Sequence, residues 1–247
     1  MRAFRTMFKT ELKLSLRGMD MFIFAICMPV TVMVILGITY GDKPAFDGAE
    51  YTFLEQSFGA VATIAVCAGG VMGLPLVISD YRHKKILKRF KVTPTSPALI
   101  LAVQIVIYAL YSIASLILIY VTAVLFFAYQ FSGSWLNFLG AYILVMLSIF
   151  SIGLLVGGVA PNTKTASVFA SVLYFPMLIF SGATLPYEVM PKALQKAADI
   201  LPLAHGIKLL KAASLGLPMY SVSVPVIVMV AIAVICTGIS VRFFKWE

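Results

Sequence analysis

The sequence predicts an all-α polytopic membrane protein with six transmembrane helices, and three observations carry that prediction. Of the 247 residues, 61% are hydrophobic, and the mean hydropathy is +1.00. Only 12% are charged, where a soluble domain has about 25%. The apolar residues fall in charge-free runs: Met21–Gly41, Gln56–Ser79, Val92–Thr163, Thr165–Tyr187 and Ala212–Val241. A surface this poor in charge excludes a soluble enzyme, a disordered chain and a disulfide-rich secreted module.

Crossing about 30 Å of hydrocarbon takes about 20 helical residues. Four runs hold one span each. The 72-residue run Val92–Thr163 holds two, divided by a turn at Gln130-Phe131-Ser132-Gly133-Ser134. The spans are expected near 21–40, 57–79, 99–128, 136–159, 165–181 and 222–241, in one transmembrane domain over residues 1–247.

Charge orients them. The net charge is +9, from 19 Lys+Arg against 10 Asp+Glu. The basic residues gather between apolar runs, where topology and anionic lipid headgroups account for them, so membrane lipids and not nucleic acid are the expected partners. With six spans both termini share a side. That side holds 14 of the Lys and Arg residues, including Arg2, Arg5, Lys9, Lys13 and Arg17 at the N-terminus and six between Arg82 and Lys91; the other holds 5. The positive-inside rule makes both termini cytoplasmic. No cleavable signal peptide is expected, because the first 20 residues carry seven charges and no apolar core. Cys27, Cys67 and Cys236 lie within apolar stretches without CxxC spacing and read as small core residues.

Three segments are not spans. Residues 2–17 set Phe4, Phe8, Leu12 and Leu16 on one stripe and Arg5, Lys9, Lys13 and Arg17 on the next, an amphipathic interfacial helix ending near Gly18. It is either a plain anchor or a part that transmits motion. The loop Asp80–Pro97 has helical spacing over 81–91, stopped by Pro94 and Pro97. This short basic helix either enforces topology or presents Ile86, Leu87 and Phe90 to a partner's groove. Pro186, Pro191, Pro202 and Pro218 divide the stretch before the last span into two short helices, about 191–200 and 203–215, with Gly216 as a cap. Within residues 187–216 this reads as a re-entrant pair dipping in from the outer side, its lysines reaching outer headgroups.

No Asp, Glu, Lys, Arg or His falls inside any expected span, which weakens ion-coupled transport. His83 and His205 lie in loops, and HExxH, GxSxG and GxxxxGK[ST] are all absent. No catalytic, cofactor-binding or metal-binding residue is expected on this chain, and energy for uphill transport has to come from another polypeptide.

Together these residues resemble the permeases of the type-2 exporter family of ABC transporters. Ile86-Leu87-Lys88-Arg89-Phe90-Lys91-Val92-Thr93-Pro94-Thr95-Ser96 is similar to the family's T-L-x-R-L-x-x-T-P-x-S segment. Phe180-Ser181-Gly182-Ala183, Leu185-Pro186, Met190-Pro191, Leu194-Gln195 and Leu201-Pro202 resemble its second signature, and Pro161-Asn162-Thr163-Lys164 opens the fifth span as in the family. Asp80-Tyr81 and Lys85-Ile86 depart from the Glu and Gly-Thr often found before the coupling helix.

The resemblance implies an ATPase-coupling surface of Tyr81, Arg82, Lys85, Ile86, Leu87, Arg89 and Phe90, and a re-entrant motif of Ser181, Gly182, Pro186, Pro191 and Pro202. It implies two permease copies, as a homodimer or heterodimer, with two ATP-binding subunits that carry ATP and Mg. It further implies export of an amphipathic or hydrophobic substrate, such as a drug, peptide antibiotic or lipid-like molecule, across a prokaryotic plasma membrane, with drug or antibiotic resistance as one outcome. Two other classes stay open: a non-transporting membrane module that senses or confers resistance through partner binding, and a stand-alone channel or secondary transporter.

Overall fold

The computed structural model describes residues 2–41, 43–46, 48–86, 97–181, 190–218 and 222–243. Among these residues all regular structure is helical, apart from an isolated bridge between Pro44 and Thr52. Six helices are long and apolar enough to cross a membrane: span 1 Asp20–Tyr40, span 2 Phe53–His83, span 3 Ala98–Phe127, span 4 Trp135–Val159, span 5 Thr163–Phe180 and span 6 Ser223–Arg242. We call the side bearing the N-terminal helix and the 80s loop the basic end, and its opposite the far end.

An interfacial helix, Arg2–Gly18, precedes span 1. Phe4, Met7, Phe8 and Leu12 pack on the core, whereas Leu16, expected on the same stripe, is 49% exposed. The helix buries a face running through Met7, Glu11 and Ser15, one step round from the face that apolarity alone marks. Met19, at φ 56°, makes the corner into span 1 next to Gly18. Such a left-handed residue costs a non-glycine about 1–2 kcal/mol, which the packing on both sides must offset.

Span 2 is the axis of the molecule and the largest departure from expectation. Its helix runs four residues further at each end than 57–79, so Glu55, Asp80, Arg82 and His83 fall within it. Thirty-one residues rise about 46 Å, more than the hydrocarbon requires, so these charged termini reach the headgroup zones. Its start is fixed by a capping box: Thr52 Oγ1 accepts from the Glu55 N–H at 3.2 Å, and Glu55 Oε2 accepts from the Thr52 N–H at 2.7 Å. Midway, Ala68–Gly73 is wound as a π-helix, and here spans 2 and 4 touch backbone to backbone. A Cβ added at Gly153 would lie 1.8 Å from Gly70 O, so only glycine permits this approach.

The remaining spans enclose this axis. Span 1 closes on span 3 where Gly37 faces the Phe127 ring. Span 6 lies along span 4, joined by Ser148, whose hydroxyl reaches Met229 O at 2.7 Å. Asn162 caps span 5, its Oδ1 accepting from the Thr165 N–H at 2.8 Å.

At the far end two short helices stand before span 6, Lys192–Ala198 and Pro202–Leu215. Against the expected 191–200 and 203–215, the first is three residues shorter and the second starts one residue earlier, and Gly216 caps the second at φ 69°. That second helix buries Leu203, Gly206, Ile207 and Leu210 among spans 2, 4 and 6. Gly59 of span 2 faces its backbone at Lys211, at 2.9 Å from an added Cβ. Beside it, Phe58, Tyr129, Phe131, Trp135 and Phe138 form a plate of rings, with Phe131 stacked on Trp135 at 4.0 Å. Burial and, secondarily, Glu55 push the Tyr129 phenol up from its ordinary value, so it stays neutral.

A candidate coupling junction at the basic end

The candidate site is built where the last turn of span 2 meets the interfacial helix and the start of span 3. One further helical turn brings Tyr81 and Arg82 back against the protein, and both are over nine-tenths buried. Tyr81 donates its hydroxyl to Glu11 Oε2 of the interfacial helix in a short hydrogen bond. Gln104 of span 3 donates its Nε2 to the same oxygen at 2.9 Å and to Tyr81 Oη at 3.1 Å. Ser15 and Tyr111 hydroxyls, 3.1 Å apart, add a second tie between interfacial helix and span 3. Three helices therefore converge on one carboxylate oxygen. Hydrogen bonds to a charged acceptor are the stronger kind, worth about 1.5–3 kcal/mol each when buried.

Arg82 points the other way. Its Nη1 donates to Gly158 O at 2.9 Å. Gly158 lies in the last turn of span 4, where carbonyls lack intrahelical partners and the helix dipole is negative, so a guanidinium there satisfies both needs. The polar end of span 2 is thus locked to the interfacial helix, span 3 and span 4.

This revises the expected docking surface. Tyr81 and Arg82 continue span 2 and hold it from within; they do not start a separate exposed helix at residue 81. The reason is that each finds a partner in the fold, a half-buried acid for the phenol and an orphan carbonyl for the guanidinium. The helix stops at His83, Lys84 pairs with Asp80 at 2.8 Å, and Lys85 turns the chain at φ 55°. Lys85 is exposed, as a docking residue requires. Ile86, expected to be exposed, is half-buried against Tyr81 and Ile100. Leu87, Arg89 and Phe90 lie outside the described residues, as does the rest of 81–91 beyond Ile86.

Of the re-entrant motif, Ser181 is buried at the end of span 5. Pro191 is the N-cap of the first short helix and Pro202 the first residue of the second. Gly182 and Pro186 lie outside the described residues. Gln195 donates its Nε2 to Met190 O at 3.0 Å, which closes the first helix onto its entry. His205 contacts Asp199 O at 2.9 Å, and Lys208 pairs with the Asp199 carboxylate at 2.5 Å; both tie the second helix to the break before it.

Sequence reasoning missed Glu11 and Gln104. Glu11 sits four residues from both Met7 and Ser15, a signal hidden by the stronger aromatic stripe beside it. Gln104 is the lone side-chain amide of span 3, which is its own signal. Among the described residues no three His, Cys, Asp or Glu side chains stand close enough to share a metal ion.

Comparison with known proteins agrees with this architecture. Residues 2–215 match the family model described as ABC-2 type transporter. Nodulation protein J of Rhizobium leguminosarum bv. viciae is 35% identical over 97 residues, 39% of this chain and 35% of that one. Nodulation protein J of Neorhizobium galegae is 36% identical over 72 residues, 29% of this chain and 28% of that one. These matches thus cover about a third of the nodulation proteins' own length. A Bacillus subtilis (strain 168) protein named as transport permease YvfS is 22% identical over 206 residues, 79% of this chain and 78% of that one. With six helices long and apolar enough to cross a membrane and a family match over most of its length, the chain belongs to the ABC-2 type transporter family and is a multi-pass membrane protein.

Proposed function

We propose that this chain is the permease subunit of an ABC exporter, driven by ATP-binding subunits on other chains and moving an amphipathic or hydrophobic substrate outward. The observation that carries the reading furthest is the placement of span 2. Its basic end is held by Glu11, Gln104 and Gly158 O. Its far half bears the second short helix through Gly59. A push on the loop that follows Lys84 therefore reaches the far-end helices along one stiff, buried rod, without passing through lipid-facing residues.

On this reading the loop docks on the ATP-binding subunit through Lys85, Leu87, Arg89 and Phe90, while Tyr81 and Arg82 fix the loop to the rod. ATP and Mg reside on that subunit, in two copies. Two permease copies face each other, and the exposed apolar stripe of span 5 (Val168, Val172, Phe175 and Ile179) offers a surface for the second. Both termini are cytoplasmic in a prokaryotic plasma membrane, which follows from the excess of Lys and Arg at the basic end. The name transport permease carried by the Bacillus subtilis relative supports transport as the activity.

Replacing Leu87 and Phe90 together with Asp tests the docking claim. Washed membranes containing the wild-type chain should retain the co-expressed ATP-binding subunit, and membranes with the double variant should release most of it. Equal retention, with equal amounts of inserted chain, would remove the docking surface from the account.

A further inference from the structure

Beside the junction, between the interfacial helix and spans 1, 2 and 3, lies a cavity of about 280 Å³ that includes Glu11, Asp20, Asp80 and Tyr108 in its walls. We propose that this cavity binds a primary ammonium group carried on an apolar tail, with Glu11 as its charge partner and Tyr108 as a second acceptor. The inference does not rest on the transport reading.

Glu11 is the first ground. Its Oε2 is held in place by Tyr81 and Gln104, yet no cation among the described residues stands within ion-pairing distance of either carboxylate oxygen. It is a half-buried anion that is positioned and hydrogen-bonded on one oxygen, with the other oxygen open. Asp20 likewise has no ion pair among the described residues, whereas Asp80 is already taken by Lys84 at 2.8 Å. In a chain with net charge +9, an unpaired pair of carboxylates on the basic side stands out from its surroundings.

Tyr108 is the second and independent ground. The residue is 3% exposed, it lines the cavity, and its hydroxyl has no hydrogen-bond partner among the described residues. The outer end of its ring forms part of the cavity wall together with Gly73: a Cβ added at Gly73 would lie 2.6 Å from Tyr108 Cε1 and 2.9 Å from Cζ. Gly73 thus lets the phenol ring pack directly on span 2, and a larger residue there would push the ring, and the wall it forms, out of place.

The hydrogen-bond inventory then selects the ligand. The two obvious donors, Tyr81 Oη–H and Gln104 Nε2–H, are both spent on Glu11. What remains toward the cavity is the negative charge of Glu11 and Asp20 and the Tyr108 hydroxyl, which can accept as well as donate, so the ligand has to bring positive charge and donors of its own. A primary ammonium brings three N–H groups on one centre. Leu14 and Leu76 complete the wall with apolar surface suited to a hydrocarbon tail, and Leu14 is 59% exposed at the rim. The carboxylates are too dispersed to share a metal ion. The same chemistry has two sources: the ethanolamine headgroup of a membrane lipid, or a free amphipathic amine in the leaflet at the basic end.

The test uses the full-length chain in nanodiscs of phosphatidylcholine and phosphatidylglycerol, with decylamine as probe and empty nanodiscs subtracted for partitioning. Wild type should bind decylamine saturably and bind decyltrimethylammonium, which has charge but no N–H, at least about tenfold more weakly. E11Q should lose about tenfold or more in decylamine affinity. Because E11Q also touches the junction, L14W serves as the second variant: it fills the mouth, leaves the hydrogen bonds intact, and should weaken binding similarly. Unchanged affinity in both variants, or equal binding of the two amines, would overturn the proposal. Replacing phosphatidylcholine by phosphatidylethanolamine separates the sources. Competition that weakens decylamine binding assigns the site to the lipid headgroup, and undiminished binding assigns it to a free amine.

Discussion

Spans 2 and 6 are both apolar enough to cross a membrane, yet one is the axis of the molecule and the other its rim. In the most apolar stretch of span 2, 83% of residues are buried; in span 6 only 17% are. Apolarity cannot sort them, because lipid tails are as apolar as the protein interior. Size does. Span 2 carries Gly59, Ala60, Ala62, Ala65, Ala68, Gly69, Gly70 and Gly73, which let neighbouring backbones approach. Span 6 presents Val224, Ile227, Val230 and Val234 to the outside, and an added Cβ at Gly238 would meet nothing within 4 Å. In a membrane the small residues mark the centre.

The comparison breaks most severely at the backbone contact. Gly153→Ala drives a methyl to 1.8 Å from Gly70 O and must part spans 2 and 4. A loss of about 3 kcal/mol or failure to insert as a monodisperse protein is expected, read by thermal unfolding in detergent. Arg82→Ala comes next, since it leaves Gly158 O without its side-chain donor at the end of span 4; about 1–3 kcal/mol should be lost. Ser148→Ala removes a hydroxyl shared between Leu144 O of its own helix and Met229 O of span 6, and about 0.6 kcal/mol is expected by the same measurement. Gly238→Ala sharpens the contrast from the other side: with open space around it, stability should hold or rise by up to about 1 kcal/mol.

Much of this fold was legible in the sequence for a physical reason. Hydrocarbon thickness sets span length, so charge-free runs gave spans 1, 3, 4, 5 and 6 to within two residues of the observed helices. Pro191, Pro202 and Gly216 announced the two far-end helices, because proline and glycine act locally on the backbone. Span 2 was underestimated because a charge was taken as its end, whereas Arg82 extends the helix by finding a partner only the folded chain supplies and Glu55 opens it through a local capping box with Thr52. The interfacial helix was recognised but its buried face was displaced toward Glu11, since the hydrogen-bond partners Tyr81 and Gln104 lie 70 and 93 residues away. The same distance in sequence concealed the buried roles of Tyr81 and Arg82. The π-helical turn at Ala68–Gly73 left only its glycines as a trace.

The central claim, that this chain works as the membrane subunit of a transporter powered from another polypeptide, is tested most directly by what accompanies it out of its membrane. The chain should be solubilised in mild detergent, captured through a terminal tag and its companions identified by mass spectrometry with quantification. An ATP-binding subunit in a ratio of one per permease chain, with a second permease copy in the complex, is the predicted result. Recovery of this chain alone, intact and monodisperse, together with flux in liposomes that contain nothing else, would contradict the account.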